Sequence, residues 1–173
     1  DERIDVEARA VANCAGLFAP RIAQETGLDV PSLLARGSYF SLKGDAPFSR
    51  LVYPLPEPGG LGVHATLDLS GRCRFGPDVE WLPEGTSPDA PGLYEVDPAR
   101  AEPFYEAVRT YYPALADGAL APDYAGVRPK LSRETADFQV VRRGRVLHLL
   151  GVESPGLTAC LALAEEAAGM LVV

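Results

Sequence analysis

Arg128 and Lys130 stand two residues apart in Tyr124-Ala-Gly-Val-Arg-Pro-Lys130, a stretch that reads as extended. Alternation along an extended chain puts both cations on one side. The planar fork of an arginine suits a carboxylate, and a lysine ammonium can hold a second carboxylate as a point charge. Together they are the parts needed to bind a small anionic molecule; the plain alternative is a solvated strand face. His64 is the second candidate. It lies in an alternating run with Leu61, Val63, Ala65, Leu67 and Leu69 on one face and Gly62, His64, Thr66 and Asp68 on the other. Histidine is the side chain that exchanges protons near neutral pH, so a histidine on the polar face of a strand is a candidate general base. A hydrogen-bonded structural histidine beside a sheet is the alternative.

A third stretch offers backbone chemistry. Val146 to Leu150 is a short apolar run of strand length, broken by Gly151. Ser154 then Pro155 is a helix-start signal, with Ser as N-cap and Pro at the first helical position. From Leu157 to Ala168 the residues are strong helix formers. Strand, glycine turn and helix leave N–H groups at a positive helix end, ready for an anion or an electron-rich ring edge. Gly156, Leu157 and Thr158 supply the first helical turn. The same pattern occurs earlier: Ala8 to Cys14 as a strand, Ala15-Gly16 as the turn, and a helix over roughly Leu17 to Thr26 with Ala19, Ile22 and Ala23 as buried candidates.

The intervening elements must position these groups. Gly37 to Leu42 reads as a strand, and Arg50 to Tyr53 as another, closed by Pro54, Pro56 and Pro58. Leu61 to Phe75 is a predicted β-hairpin turning at Gly71. Pro77 to Pro91 reads as a long surface connection carrying Trp81. Asp97-Pro98 starts a helix with Phe104, Val108, Tyr111 and Leu115 on its buried face and Pro113 at its end. Phe138–Val141 and Val146–Leu150 pair across a turn at Arg142-Arg143-Gly144. Tyr39 and Tyr53 are aromatic strand residues able to line a site, Tyr39 with the better claim. His148 reads as structural.

Composition limits the function classes. The 173 residues are 47% hydrophobic and 23% charged, which is globular. A net charge of −8 argues against a nucleic-acid surface, so no nucleic acid is expected as partner. Cys14, Cys73 and Cys160 have no metal-ligand spacing, and there are two histidines, so no metal site is expected. The cysteines read as reduced and mostly buried, which fits a cytoplasmic protein.

The glycine turns also carry a resemblance. Gly151-Val-Glu-Ser-Pro-Gly-Leu-Thr158 resembles the C-terminal flavin-contacting motif of FAD-dependent oxidoreductases of the D-amino-acid oxidase and glycine oxidase superfamily, and is nearest to their L-2-hydroxyglutarate dehydrogenase/oxidase branch. Val-Ala-Asn-Cys-Ala-Gly16, Arg-Gly-Ser-Tyr-Phe40, Gly-Val-His-Ala-Thr66 and Gly-Val-Arg-Pro129 resemble further elements of it, in consistent order from Ala8 to Ala168.

The resemblance implies FAD as cofactor, contacted by Gly16, Gly151, Ser154, Pro155, Gly156, Leu157 and Thr158. It implies Arg128 on a substrate carboxylate, with Lys130 and Tyr39 beside it, and His64 as the base for an α-hydroxyl. Glu153 would oppose charge on a reduced flavin and is expected to point away and pair or cap. The implied architecture is mixed α+β / α/β: an antiparallel substrate-binding sheet with helices, plus the C-terminal strand–helix part of an FAD-binding Rossmann-like domain. Residues 1–36 and 131–173 would belong to the FAD-binding domain and 37–130 to the substrate-binding domain.

No G-x-G-x-x-G fingerprint is present; Gly59-Gly60-Leu61-Gly62 precedes a strand, the wrong context for phosphate. The expectation is that the N-terminal FAD-binding half is missing from this chain, along with any membrane association that half carries. The reading implied is oxidation of a small 2-hydroxy acid by hydride transfer, with oxygen or a quinone left open as acceptor. An amine oxidase of the same superfamily, and a non-catalytic binding domain or partner-completed subunit, are the alternatives.

Overall fold

The computed structural model describes residues 4–55 and 62–171. The chain forms two compact units. One combines Asp1–Leu33 with Pro129–Val173, and the other is Leu34–Arg128. The sequence placed the boundaries near 37 and 131.

In the first unit, β1 (Val11–Asn13) pairs in parallel with β8 (Val146–Leu150), which pairs antiparallel with β7 (Gln139–Arg143). A 3₁₀ turn at Gly16–Phe18 leads into α1 (Ala19–Glu25), where Pro20 sits in the first turn and needs no N–H partner. Ala19, Ala23, Val30 and Leu150 form one small core. Leu147, Leu149 and Ala167 form another beneath α3 (Gly156–Leu171). Burial around α1 comes from Ala19, Pro20 and Ala23; Ile22, an expected core residue, is 39% exposed.

A chain of polar groups joins these elements. Asn13 donates from Nδ2 to Ala19 O and to His148 Nδ1, both at 2.9 Å, and its Oδ1 accepts the Ala15 N–H. Thr26 donates its hydroxyl to Ala23 O, so its oxygen accepts from His148 Nε2 at 3.0 Å. This fixes His148 as the neutral Nε2–H tautomer, fully buried and fully bonded. His148 is structural, as its place in an apolar strand suggests.

In the second unit, β2 (Leu33–Leu42) is the spine. It pairs antiparallel with β4 (Cys73–Gly76) and with β5 (Glu80–Trp81), and it also pairs β6 (Leu120–Lys130). β3 (His64–Leu67) adds to β4 as the expected hairpin. Phe40, Phe75, Phe104 and Val108 form the core with α2 (Ala101–Arg109). Asp97 caps the entry to α2 by accepting the Ala99 N–H.

Several elements differ from expectation. The segment over Pro77–Pro91 contains β5, because Arg36 holds Glu80 through two guanidinium bonds of 2.9 and 3.0 Å. Residues 50–53 give a single bridge, Val52 to Ala65. The α2 helix stops at Arg109, and Tyr111 and Leu115 pack from the turn beyond it. Leu69 is fully exposed, because Asp68 leaves the strand to close the β3–β4 turn, accepting from Ser70 and Arg72. Cys14 and Cys160 are exposed, and only Cys73 is buried, its thiol pushed up to about 11 by burial. Of the Gly59–Gly62 cluster, Gly59, Gly60 and Leu61 lie outside the described residues, as do Pro56 and Pro58. Among the described residues no helix is long and apolar enough to cross a membrane, and no group of three or more metal-ligating side chains is found.

Burial holds the His148 imidazole below the ordinary histidine range. An unfolded chain binds a proton there below about pH 6.5 that the folded chain refuses. Stability from this site is therefore complete above that pH and is lost as pH falls, with a slope approaching ~1.4 kcal/mol per pH unit. Urea unfolding between pH 8 and 5 should show this decline. His148→Gln should be less stable at pH 8 and show a flatter decline.

Candidate functional site

His64 opens β3 and is held there from three directions. Its cross-strand partner is Gly76 on β4. The neighbouring Ala65 exchanges both backbone bonds with Val52 at 2.9 Å, which brings Tyr53 alongside. Tyr53 and His64 rings lie 4.3 Å apart at 58°. Before it, Val63 O accepts the Tyr111 hydroxyl at 2.9 Å; burial raises that phenol's pKa and keeps it a donor. His64 itself is 9% exposed.

Tyr39 on β2 lies against the same glycine. A Cβ placed on Gly76 would come within 2.7 Å of Tyr39 Cδ1 and 2.6 Å of Ser38 O, and Gly76 has φ +145°. Glycine therefore lets the Tyr39 ring approach the backbone opposite His64. On its other side Tyr39 stacks on Tyr124 of β6, with centroids 4.5 Å apart and 13° between planes. Tyr124 and Arg128 share a face of β6 by alternation. Burial first, then Tyr124, raises the Tyr39 phenol above its ordinary value, while the Arg128 guanidinium acts the other way. Tyr39 thus stands within the field of Arg128, and Tyr53 also acts on it.

The second unit therefore gathers His64, Tyr39, Tyr124 and half-buried Arg128 on three strands, with Tyr53 beside the Val52 bridge. A planar cation, a proton acceptor and a set of aromatic faces can bind a small carboxylate and take a proton from it or its neighbour. Gly76 and Tyr124 were missed as site residues. Gly76 falls between the expected hairpin and the expected surface connection and carried no signal of its own; for Tyr124 the parity shared with Arg128 was the available clue.

The first unit holds the backbone site. β1 and β8 run parallel, Asn13 opposite His148, and each ends in a glycine turn: Gly16 at φ +58° and Gly151 at φ +64°. The carboxyl ends of parallel strands are where α/β sheets bind ligands. No atom lies within 4 Å of where a Gly16 Cβ would be. At Gly151 a Cβ would meet Leu131 at 2.7 Å, so this turn is closed against β-substituted residues.

The α3 helix starts at Gly156, with Pro155 one residue ahead of it. Gly156 N–H closes a turn onto Glu153 O at 2.5 Å, which takes Ser154 and Pro155 into the turn. The first i→i−4 bond runs from Ala159 N–H to Pro155 O at 3.0 Å. The N–H groups of Leu157 and Thr158 stand ahead of it at the positive helix end. Leu157 is 88% exposed. The Thr158 hydroxyl gives its proton to Pro155 O at 2.8 Å, so Thr158 offers its backbone rather than its side chain. Lys130, expected beside Arg128 on substrate, pairs with Glu153 at 2.5 Å. Free N–H groups at a helix start, in the unit that also carries the open Gly16 turn, suit the electron-rich edge of a ring or an anion.

Residues 1–170 match the family of FAD dependent oxidoreductases. The chain belongs to that family. A mitochondrial L-2-hydroxyglutarate dehydrogenase of Arabidopsis thaliana is 47% identical over 189 residues, spanning 97% of this chain and 38% of that protein. The L-2-hydroxyglutarate dehydrogenase of Escherichia coli K12 is 27% identical, spanning 91% of this chain and 46% of that protein. Among solved structures, an FAD-bound L-alpha-glycerophosphate oxidase from Mycoplasma pneumoniae superimposes with a TM-score of 0.75 at 22% identity, covering 94% of this chain and 42% of that one. Glycine oxidase from Bacillus cereus gives 0.65 at 14%, covering 96% and 43%. The fold is the mixed α/β fold of FAD-dependent oxidoreductases, and the chain spans less than half the length of these relatives.

Gly76→Ala tests the close approach. It should lower stability by ~1–3 kcal/mol for backbone strain and more for the clash with Tyr39 and Ser38 O. Gly71→Ala, at φ +82° with open space around its Cβ, should show the strain alone. Urea unfolding of the two variants reads the difference.

Proposed function

We propose that this chain forms the substrate-holding and flavin-contacting part of an FAD-dependent oxidoreductase acting on a small 2-hydroxy acid such as L-2-hydroxyglutarate. The 47% identity to the plant L-2-hydroxyglutarate dehydrogenase over 97% of this chain carries this reading. When bound, FAD accepts the two electrons of the substrate C–H bond as hydride.

The protein's own groups do the rest. Arg128 grips the carboxylate with its fork and fixes which face of the α-carbon is presented. His64 accepts the hydroxyl proton as the C–H bond breaks, since a hydroxyl is too weak an acid to lose it unaided. Tyr39, Tyr53 and Tyr124 line the substrate with low-polarity faces that exclude water. Gly16 and Gly151 let backbone approach the cofactor, and the N–H groups at Leu157 and Thr158 favour negative charge at its edge. Ser154, Pro155 and Gly156 set the turn that aims them. The three unpaired cysteines fit a reducing compartment, the cytoplasm or the interior of a mitochondrion.

The deciding experiment is an anaerobic visible spectrum of the FAD-loaded protein containing this chain, mixed with L-2-hydroxyglutarate or with its amino analogue L-glutamate. The hydroxy acid should bleach the flavin and the amino acid should not; the reverse would make the protein an amine oxidase. His64→Gln should slow bleaching by ~10²–10⁴-fold, while dithionite still reduces the flavin. Arg128→Ala should raise the KM for the hydroxy acid at least tenfold.

A further inference from the structure

Arg74 of β4 lies on the sheet face that carries His64 and Tyr39. Its cross-strand partners are Thr66 on β3 and Ser41 on β2. Phe40, Ala65 and Phe75, one step along each strand, are core residues. Alternation therefore sets Thr66, Arg74 and Ser41 on the opposite face, with His64, Gly76 and Tyr39 two residues farther along that face.

The Arg74 guanidinium is held from two sides. Its Nε donates to Asp123 Oδ2 on β6 at 2.5 Å, and its Nη1 lies 3.3 Å from Asp68 Oδ2. Asp68 is itself fixed in the β3–β4 turn by the Ser70 and Arg72 N–H groups. Two carboxylates thus neutralise the cation and give it a set position. From there it stands over the Tyr124 ring, 5.8 Å from the centroid. Tyr124 is 48% exposed, so burial leaves its ring room to turn. Stacking on Tyr39 and the guanidinium both oppose that turning. Tyr124 shares its side of β6 with Arg128, and Tyr39 stands in the field of Arg128.

We infer that Arg74 is a positioning residue of the substrate site: braced between Asp68 and Asp123, it holds the Tyr124 ring against Tyr39 and so fixes the aromatic wall along which the carbon chain of the substrate lies. This rests on the proposed seat of the substrate carboxylate at Arg128.

The test uses the FAD-loaded protein containing this chain. Steady-state assays with L-2-hydroxyglutarate give kcat and KM. Calorimetry with glutarate, the same dicarboxylate without a hydroxyl to oxidise, gives a dissociation constant without turnover. Arg74→Met should raise KM and the glutarate dissociation constant about three- to tenfold, with kcat within about twofold of the parent. Tyr124→Leu should raise both at least as much. In the double variant the two effects should not multiply, because the ring through which Arg74 acts is gone. Arg74→Lys keeps a charge between the two aspartates but not the planar group over the ring, so it should still raise both constants at least twofold; it carries the test if Arg74→Met does not fold. Effects that multiply would mean that Arg74 acts without the ring and would overturn the inference, as would unmoved constants in the Arg74 variants. A parent protein that binds no glutarate, or an Arg128→Ala variant that binds it as tightly as the parent, would overturn the underlying seat as well. Glutarate binding that depends on Arg128 but not on Arg74 overturns only the inference.

Discussion

The bond from Asn13 to His148 holds the first unit together. Two parallel strands with no direct connection must be brought side by side, and three residues of β1 offer little ladder to do it. Asn13 supplies what the ladder lacks. One amide reaches β8 through His148, α1 through Ala19 O, and the Gly16 turn through Ala15 N–H. Asn13, His148 and Ala19 are out of water, so losing one partner strands the others at a cost of ~1–3 kcal/mol apiece. Buried polar networks of this kind specify one arrangement more sharply than apolar contact does. The two glycine turns inherit their spacing from it.

The second unit solves a different problem, which is to place side chains from distant stretches on one surface. β2 does this by length. Its ten residues accept β4 and β5 antiparallel and also pair β6. Arg36, Tyr39 and Phe40 then serve an ion pair, the candidate site and the core in turn. At Gly76, Tyr39 and Ser38 O occupy the space that its missing side chain leaves.

Local signals in the sequence were enough to put His64 and Arg128 on strands and to find the two strand–glycine–helix turns. Alternation, a cap residue and a proline each act within a few positions, so they can be read without tertiary structure. What escaped depends on contacts across the sheet. The β5 strand is two residues long and exists because Arg36 meets Glu80 forty-four positions away. Lys130 looked like a twin of Arg128, since parity along β6 is all that a sequence shows of it; Glu153 is a loop residue whose reach toward β6 has no local mark. Leu69 matched its strand's period and still faces water, because Asp68 closes the turn one residue before it. Ile22 was expected inside because it is apolar, but the small residues Ala19 and Ala23 set the buried side of α1.

The discontinuity of the first unit also orders events in time. Asn13 and His148 are 135 positions apart, whereas every strand pair of the second unit lies within the continuous stretch Leu34–Arg128. On a ribosome the chain emerges from its N-terminal side, and a domain can close only when its last strand has appeared. The second unit has all its partners once Arg128 is out. Val11–Asn13 meets β8, and Asn13 its His148 bond, only once β8 has been made. The pairing of β1 with β8 is thus among the last contacts of this chain to form.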